Sequence, residues 1–296
     1  MRRYKNASNI IFDVFVLLLL LLFGFLCLLP LLHLLALSLS SSHAALSGLV
    51  TFFPVDFTPT AYLMLIRDER YVTAFMVSIQ RILLGGGINL VLTILTAFPL
   101  SMEAKKFPGR NIYMWAIIFT MLFVASVVPW FFVIRATGLL DSIWALVLPG
   151  ALPVFNTILL MNFFRNQPKE IKESALMDGV NPFQMMVKIA VPLALPAIAT
   201  VTMFSIVNHW NAFFDGMLLI STPSGIPLQT YIQSLIAANV TMVAQSGMTP
   251  EELAALSALR TFNAARTIVA IIPILIVYPF MQRFFVTGIT LGSVKE

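Results

Sequence analysis

Long apolar runs dominate this chain, and polar residues gather in the short segments between them. A membrane-spanning helix needs about 20 consecutive, mainly apolar residues, because the hydrocarbon layer is ~30 Å thick and each helical residue rises ~1.5 Å. Six runs meet this requirement, which predicts an all-α membrane protein with six transmembrane helices. The predicted spans cover residues of about 10–41, 72–102, 111–135, 143–164, 192–220 and 266–286.

Composition and charge give the predicted spans an orientation. Hydrophobic residues make up 59% of the 296 residues and charged residues 10%, whereas soluble domains carry about 25% charged residues. Of the 18 lysines and arginines, about two thirds fall on one side of the predicted membrane, and cations accumulate on the cytoplasmic side. We therefore predict that both termini are cytoplasmic. The net charge of +5 reflects membrane topology, with lipid as the surroundings and no nucleic acid partner.

The predicted organisation has three parts. These are a first transmembrane helix with its external loop (1–71), a core transmembrane domain (72–287) and a cytoplasmic tail (288–296). The core contains an internal polar loop at about 165–191 and a long external loop at about 221–265. Within the external loop, Thr249, Pro250 and the two glutamates that follow are typical of a helix start. Partial order of this kind favours a surface for an external partner over a simple connection.

Catalytic and cofactor-binding patterns are missing from the sequence. No Gly-x-x-x-x-Gly-Lys-Ser/Thr loop is present, so the chain is not expected to bind ATP in that way. His33, His43 and His209 lack metal-ligand spacing, and no catalytic set converges at one depth. We interpret Gly85–Gly87 as a site of close helix packing. The predictions are no catalytic residue, no metal and no cofactor on this chain.

The internal polar loop contains two predicted short helices joined at a glycine. Pro168 suits a first helical turn, and Asp178–Gly179 suits a helix end where the backbone accepts positive φ. Asn181 and Pro182 then start a second helix. The small residues Ser174 and Ala175 allow the first helix to seat closely in a partner's groove. An amphipathic hairpin at the membrane surface, without a partner, is the alternative.

A family resemblance rests on the residues of this loop. Glu-x-Ala-x-x-Asp-Gly followed by Ile-x-Val-Pro resembles the EAA coupling motif of ABC importer permeases. The matching positions are Glu173, Ala175, Asp178, Gly179, Ile189 and Pro192, and Ser174 stands where the family usually has alanine. Short segments at 107–110, 208–214 and 282–295 are similar to carbohydrate permeases of this family. The chain resembles the smaller permease subunit of maltose-type importers, in the branch for complex or acidic oligosaccharides such as alginate or pectin fragments.

That resemblance implies a type I (MetI-like) permease fold and a set of partners. They are a second, homologous permease subunit, two ABC ATPase subunits that bind ATP and Mg²⁺, and an extracytoplasmic sugar-binding protein in a bacterial inner membrane. A coupling helix at about 168–180 would lie in a cleft of the ATPase, with Glu173 as the docking acid and Gly179 as the bend. The external loop at about 221–265 would reach the binding protein, and the tail would touch the ATPases.

Polar residues in the fifth predicted span are candidate substrate contacts. Asn208, Trp210, Asn211 and Asp215 combine amide, carboxylate and aromatic groups that suit sugars. If the helix is continuous, three of them share one face at i, i+3 and i, i+4 spacing. Helix–helix hydrogen bonding is the alternative.

Three arginines near the outer ends of spans raise a second hypothesis. Arg81, Arg135 and Arg266 could form an electropositive mouth for acidic oligosaccharides. The alternative is that they snorkel to the interface. For the whole chain, a secondary carrier or a membrane-embedded enzyme with a polar cytoplasmic loop is the rival function, and a membrane scaffold is a third.

Overall fold

The computed structural model describes residues 7–123, 125–244 and 250–292, and the regular structure in these ranges is helical. Three helices are long and apolar enough to cross a membrane, and the number rises to six if each bent helix pair counts as one span. The α-helices are α1 Ala7–Ser38, α2 Ser42–Leu46, α3 Thr60–Arg67, α4 Glu69–Ser101, α5 Arg110–Leu122, α6 Val127–Ala136, α7 Ile143–Val147, α8 Val154–Arg165, α9 Lys169–Met177, α10 Pro182–Gln184, α11 Val191–Leu193, α12 Leu195–Asn211, α13 Phe214–Leu219, α14 Leu228–Ala244 and α15 Pro250–Gly292.

The unbroken candidate spans overlap three of the predicted apolar runs, closely for the first two, whereas the last begins at Leu259 instead of residue 266. They are Ile10–Ser38 in α1, Glu69–Ser101 in α4 and Leu259–Pro279 in α15. Pro30 lies inside α1 without ending it, as membrane helices allow where neighbouring groups satisfy the freed carbonyl. The prediction of six apolar segments is therefore confirmed in number when the bent pairs are counted as spans.

Two of the predicted spans are bent helix pairs with proline in or near the bend. The third predicted span is α5 and α6 bent by 117°, and Pro129 sits in the first turn of α6, where its missing N–H has no helical partner to lose. The fourth is α7 and α8 bent by 46°. Between them Pro149 lies in a 3₁₀ turn, Leu148–Gly150, and Pro153 precedes α8. Pro149 and Pro153 interrupt the hydrogen-bond ladder between α7 and α8 because proline has no backbone N–H.

The fifth predicted span has the wrong limits. It begins earlier than predicted, with α10, a π-helical segment Met185–Ala190 and α11, and then bends by 84° into α12. It also ends earlier, since α12 stops at Asn211 and α13 is a separate short helix. Ala212 is extended (φ −69°, ψ 124°), which interrupts the helix before residue 220.

The segment that was predicted to be an external loop is largely helical. Residues 221–265 contain a 3₁₀ turn, Pro223–Gly225, all of α14 and the start of α15. Pro250 is the first residue of α15, as the sequence predicts, whereas Thr249 lies outside the described residues. Residues 288–292 of the predicted tail form the end of α15, and residues 293–296 lie outside the described residues.

The described chain divides into two compact units. The first combines the residues up to Glu69 with Asn239–Ile271, and the second combines Arg70–Ala238 with the residues from Ile272 onward. In the first unit a small cluster of Ala36, Ala44 and Val50 is buried. The Ser38 hydroxyl lies 2.7 Å from the Tyr62 hydroxyl, which links α1 to α3.

The second unit holds the larger apolar core. Leu160 and Phe164 of α8 are fully buried in it, and Phe164 meets Phe98 of α4 edge to face at 5.8 Å between ring centroids. The same cluster includes Ala175 and Met185, so the polar loop is packed onto the ends of the spans.

A carboxylate joins two connections in this unit. Asp141, between α6 and α7, accepts hydrogen bonds of 2.8 Å from the Ser221 and Thr222 backbone N–H groups and from the Thr222 hydroxyl. Asp141 itself has a left-handed backbone (φ +61°), which aspartate tolerates better than most residues.

Candidate functional site

The polar loop forms a helix, a sharp bend and a second helix. α9 runs from Lys169 to Met177, directly after Pro168, with Glu170 in the first turn, where its charge favours the positive helix end. Gly179 has φ +73°, which a residue with a Cβ adopts only with strain. The predicted elbow at Asp178–Gly179 is confirmed as a backbone feature.

The second helix starts with a reciprocal cap. The Asn181 Oδ1 accepts from the Gln184 backbone N–H at 2.8 Å, and the Gln184 Oε1 accepts from the Asn181 N–H at 3.3 Å. Pro182 occupies the first helical position. This capping box fixes the direction in which the chain returns to the membrane.

One side of α9 is buried and the other is open. Ala175 is buried in the core next to Phe164, so its small side chain serves packing within this chain rather than in a partner's groove. Glu173 and Ser174 are exposed, and Met177 is 88% exposed. Exposed apolar and acidic groups on one short helix suit a docking surface.

A buried ion pair lies at the break after α12. The Arg81 Nη2 of α4 is hydrogen-bonded to the Asp215 Oδ2 of α13, and Arg81 Nη1 donates to Asp215 Oδ1 at 3.2 Å. Arg81 Nη1 also donates to the Ala212 carbonyl at 3.3 Å, and Nη2 to the Leu146 carbonyl at 3.4 Å. Arg81 thus donates hydrogen bonds both to a carboxylate and to the Ala212 carbonyl at the break.

The break also opens a cavity of about 430 Å³. Asn211 and Asp215 line it, together with the aromatic side chains of Trp130, Phe213 and Phe214. Flat aromatic rings beside an amide and a carboxylate are groups that contact sugar rings and hydroxyls. We call it the break cavity.

Two premises of the substrate-contact prediction need correction. Asn211 and Asp215 do not share a helix face, because the helix ends between them, although the bend still brings both to the break cavity. Trp210 points away from the cavity and is 1% exposed, with its ring edge to face with Phe75 at 5.8 Å. Asn208 is exposed and does not line the cavity.

The three candidate arginines have different surroundings. Arg81 is paired with Asp215, and Arg266 is buried, paired with Asp68 at 3.2 Å. The Arg266 guanidinium also lies 3.9 Å above the Phe262 ring. Arg135, in the last turn of α6, is exposed. The interpretation of all three as an open electropositive mouth is therefore wrong for Arg81 and Arg266, since carboxylates offset their charges.

Sequence reasoning missed a buried polar contact between α4 and α12. The Asn89 amide lies 3.2 Å from Nε2 of His209, and with its oxygen facing the imidazole its NH₂ group donates to the Gly150 and Ala151 carbonyls at 3.1 Å. The amide orientation is assigned from these hydrogen bonds. Gly85 makes room for the imidazole, since a Cβ there would lie 2.5 Å from Nε2. The Gly85–Gly87 run was the available signal.

Other functional residues were also missed at the break cavity. Trp130, directly after Pro129, and the pair Phe213–Phe214 supply its aromatic surface. An aromatic doublet directly after Asn211 and Ala212 was the sequence signal for it. Among the described residues, no group of three or more His, Cys, Asp or Glu could hold a metal ion.

Comparisons with known proteins give the family. The model of the binding-protein-dependent transport system inner membrane component matches residues 89–291. The polygalacturonan/rhamnogalacturonan transport system permease protein YtcP of Bacillus subtilis (strain 168) is 35% identical, over 97% of this chain and 99% of its own. The trehalose transport system permease protein SugB of Mycobacterium tuberculosis (strain CDC 1551 / Oshkosh) is 30% identical, over 90% of this chain and 92% of its own.

A solved structure agrees along nearly the whole chain. A chain in the crystal structure of a bacterial ABC transporter involved in the import of the acidic polysaccharide alginate is 31% identical. It covers 95% of this chain and 99% of its own, with a TM-score of 0.83. The resemblance drawn from the polar loop and the predicted permease fold are thereby confirmed. The family consists of transport components, which decides against a membrane-embedded enzyme or secondary carrier. The chain belongs to the family of inner membrane components of binding-protein-dependent transport systems.

Proposed function

We propose that the chain is a permease subunit of an ABC importer that moves acidic oligosaccharides into the cytoplasm, driven by ATP hydrolysis on separate subunits. The observation that carries this is the agreement with the alginate transporter chain, with a TM-score of 0.83 over 95% of this chain. The 35% identity to the polygalacturonan/rhamnogalacturonan permease adds support, because polygalacturonan is also a polymer of acidic sugars. The 30% identity to a trehalose permease makes a neutral sugar the competing substrate.

The polar loop at about 165–191, which we call the coupling loop, is the proposed docking surface for an ATPase subunit. Glu173 is exposed on α9, and Gly179 sets the bend that follows it. Ala175 packs α9 onto the ends of the spans, so a displacement of α9 is passed to α4 and α8 through this core. ATP and Mg²⁺ belong to the ATPase subunits. On this proposal the coupling loop and both termini are cytoplasmic.

Docking is tested by co-purification of the ATPase with charge and backbone variants. Glu173→Arg reverses the proposed docking charge, and Gly179→Pro cannot adopt φ +73° because proline is held near −65°. Both should lose the ATPase while the permease remains in the membrane. Glu170→Arg, on the same helix, is the matched control and should retain it. Undiminished ATPase binding in both test variants would remove the support for this role.

The break cavity is the proposed sugar-contact site on this subunit. Its aromatic wall and the Asn211 amide face the same space, and the Asp215 charge is already offset by Arg81. Trp130→Ala should reduce sugar-stimulated ATPase activity without loss of the ATPase subunits. Phe132→Ala, an exposed aromatic side chain of the same helix that does not line the cavity, is the control.

The class of sugar is tested with a panel of uronate and neutral oligosaccharides. The complete importer, with its second permease subunit and extracytoplasmic binding protein, should respond to uronate oligomers and not to trehalose. Arg135→Gln should weaken the uronate response, because Arg135 is the exposed cation of the three candidates. Arg67→Gln, exposed at the end of α3, is the control. Equal responses to neutral and acidic sugars would reject the acidic substrate.

A further inference from the structure

A second cavity lies beside the coupling loop, and its volume is about 530 Å³. Sites that hold small organic ligands have volumes of roughly 300–1,000 Å³. We call it the loop cavity. Its charged lining consists of Lys106, Arg110, Arg165, Lys172, Glu103 and Glu173. Cations thus outnumber carboxylates two to one around this cavity.

These four cations are not neutralised by the carboxylates beside them. Within the part of the chain that the structure describes, no ion pair closer than 4.0 Å joins any of them to Glu103 or Glu173. The cavity cations bond to neutral groups instead. Lys172 Nζ donates to the Phe164 carbonyl at 2.5 Å, and Arg110 Nη1 donates to the Met102 carbonyl at 2.9 Å.

The Lys172 ammonium is partly buried and lies near a second cation. Burial, and then the nearby charge of Lys106, lower the pKa of the Lys172 ammonium from its ordinary value of 10.5. The Arg110 Nε is buried and has no hydrogen-bond acceptor among the described residues. An anion in the cavity would relieve the repulsion and accept from these donors.

The place of the loop cavity in the fold indicates where the anion comes from. α4 ends at Ser101, α5 begins at Arg110 and α8 ends at Arg165, so three spans terminate around it. Lipid headgroups occupy this depth of a bilayer. Apolar side chains of Phe98, Met102, Leu176 and Met185 form most of the uncharged part of the wall. A free inorganic anion makes no favourable apolar contacts with such a wall, whereas the glycerol and first acyl carbons of a lipid do.

We propose that the loop cavity binds the phosphate group of an anionic phospholipid from the leaflet next to the coupling loop. Basic pockets between membrane helices on this side bind anionic headgroups in other proteins. Glu173 lines the same cavity, so an occupant lies beside the acid proposed to dock the ATPase. The site therefore makes the coupling loop sensitive to the charge of the surrounding lipid, and this consequence rests on the proposed function.

The binding test uses the complete importer, with native mass spectrometry to count bound lipids. Phosphatidylglycerol should bind and phosphatidylcholine should not. Lys106→Gln should weaken phosphatidylglycerol binding about fivefold, and Lys106→Gln with Lys172→Gln about 25-fold, from the ~1 kcal/mol that each cation contributes near an anionic surface. Lys106 is exposed, so its replacement does not threaten folding. The matched control is Lys105→Gln, which neighbours Lys106 but does not line the cavity.

Three outcomes of the binding measurement would overturn the proposal. They are equal binding of both lipids, unchanged binding in the double variant, and binding of inorganic phosphate that displaces phosphatidylglycerol and is itself lost in Lys106→Gln. Loss of the ATPase from Lys106→Gln in pure phosphatidylcholine nanodiscs would identify the cavity as an ATPase contact and also overturn it. The binding measurement needs no transport, so its failure is distinguishable from failure of the proposed transport function.

Discussion

Arg81 and Asp215 stand 134 positions apart in the sequence and form an ion pair at the break between α12 and α13. The arginine side chain is 3% exposed and the aspartate 20%. Neither charge is therefore well hydrated without the other. The ion pair links α4 to the wall of the break cavity, which Asp215 lines.

Removal of one member of this pair should be costly. Asp215→Asn leaves the Arg81 charge buried without its counterion, and we expect a loss of about 3–5 kcal/mol in the free energy of unfolding. Thermal unfolding of the purified transporter measures it. Arg81→Gln with Asp215→Asn should be clearly more stable than the sum of the two single changes implies. Additive losses would mean that the two residues do not interact energetically.

Gly85 should tolerate no side chain, unlike its neighbours in the same helix. A Cβ at Gly85 would lie 2.5 Å from the His209 Nε2, whereas one at Gly86 or Gly87 meets nothing within 4 Å. Gly85→Ala should lower the free energy of unfolding by about 1–3 kcal/mol, as overpacked sites do. The controls Gly86→Ala and Gly87→Ala should be neutral or slightly stabilising. His209→Ala should suppress the effect of Gly85→Ala, and its failure to do so would refute the contact as the cause.

The backbone at Gly179 predicts an order among substitutions. Its φ is +73° and the space around it is open, so strain rather than a clash sets the cost. Alanine should cost roughly 1–2 kcal/mol, asparagine less and valine more. Thermal unfolding and ATPase co-purification should rank the variants in that order. Gly150→Ala, at a site with equal space and no positive φ, is the control. Equal effects of asparagine and valine would contradict the strain argument.

Asp141 should make stability depend on acid pH. The Thr222 backbone N–H, the Thr222 hydroxyl and the Ser221 N–H lower the pKa of its carboxyl below the ordinary 3.8. Its folded-state pKa is therefore lower than its unfolded-state pKa. The resulting stabilisation is present above 3.8 and is lost as the pH falls through the lowered value.

The measurement is the stability of Asp141→Asn relative to the unchanged chain across acid pH. Asparagine keeps an acceptor oxygen and tolerates the left-handed backbone, so the comparison isolates the charge. The difference should be constant at neutral pH and shrink below pH 3.8. A difference between Asp141→Asn and the unchanged chain that does not vary with pH would count against the carboxylate as the linking group.

Local pattern predicts the apolar spans and the coupling loop because their causes are local. A run of about 20 apolar residues is enough to predict a span. The residues from Pro168 to Pro182 are likewise enough to predict two short helices and the positive φ at Gly179. The end of α12 at Asn211 could not be predicted in this way, because the following residues are apolar and helix-compatible. What stabilises that end is an arginine on α4, and no window of sequence contains both. The pairing of Arg266 with Asp68 could not be predicted for the same reason, because the two residues are far apart in the sequence.

The break after Asn211 also constrains how this sequence can change over time. Hydrocarbon offers no water for the freed Ala212 carbonyl, so the broken helix depends on the Arg81 donor. The buried charge of Arg81 is in turn offset by the Asp215 carboxylate. A lineage that lost either residue first would pass through an unstable intermediate. The arginine, the aspartate and the helix break are therefore expected to be inherited together or replaced together, as one heritable character.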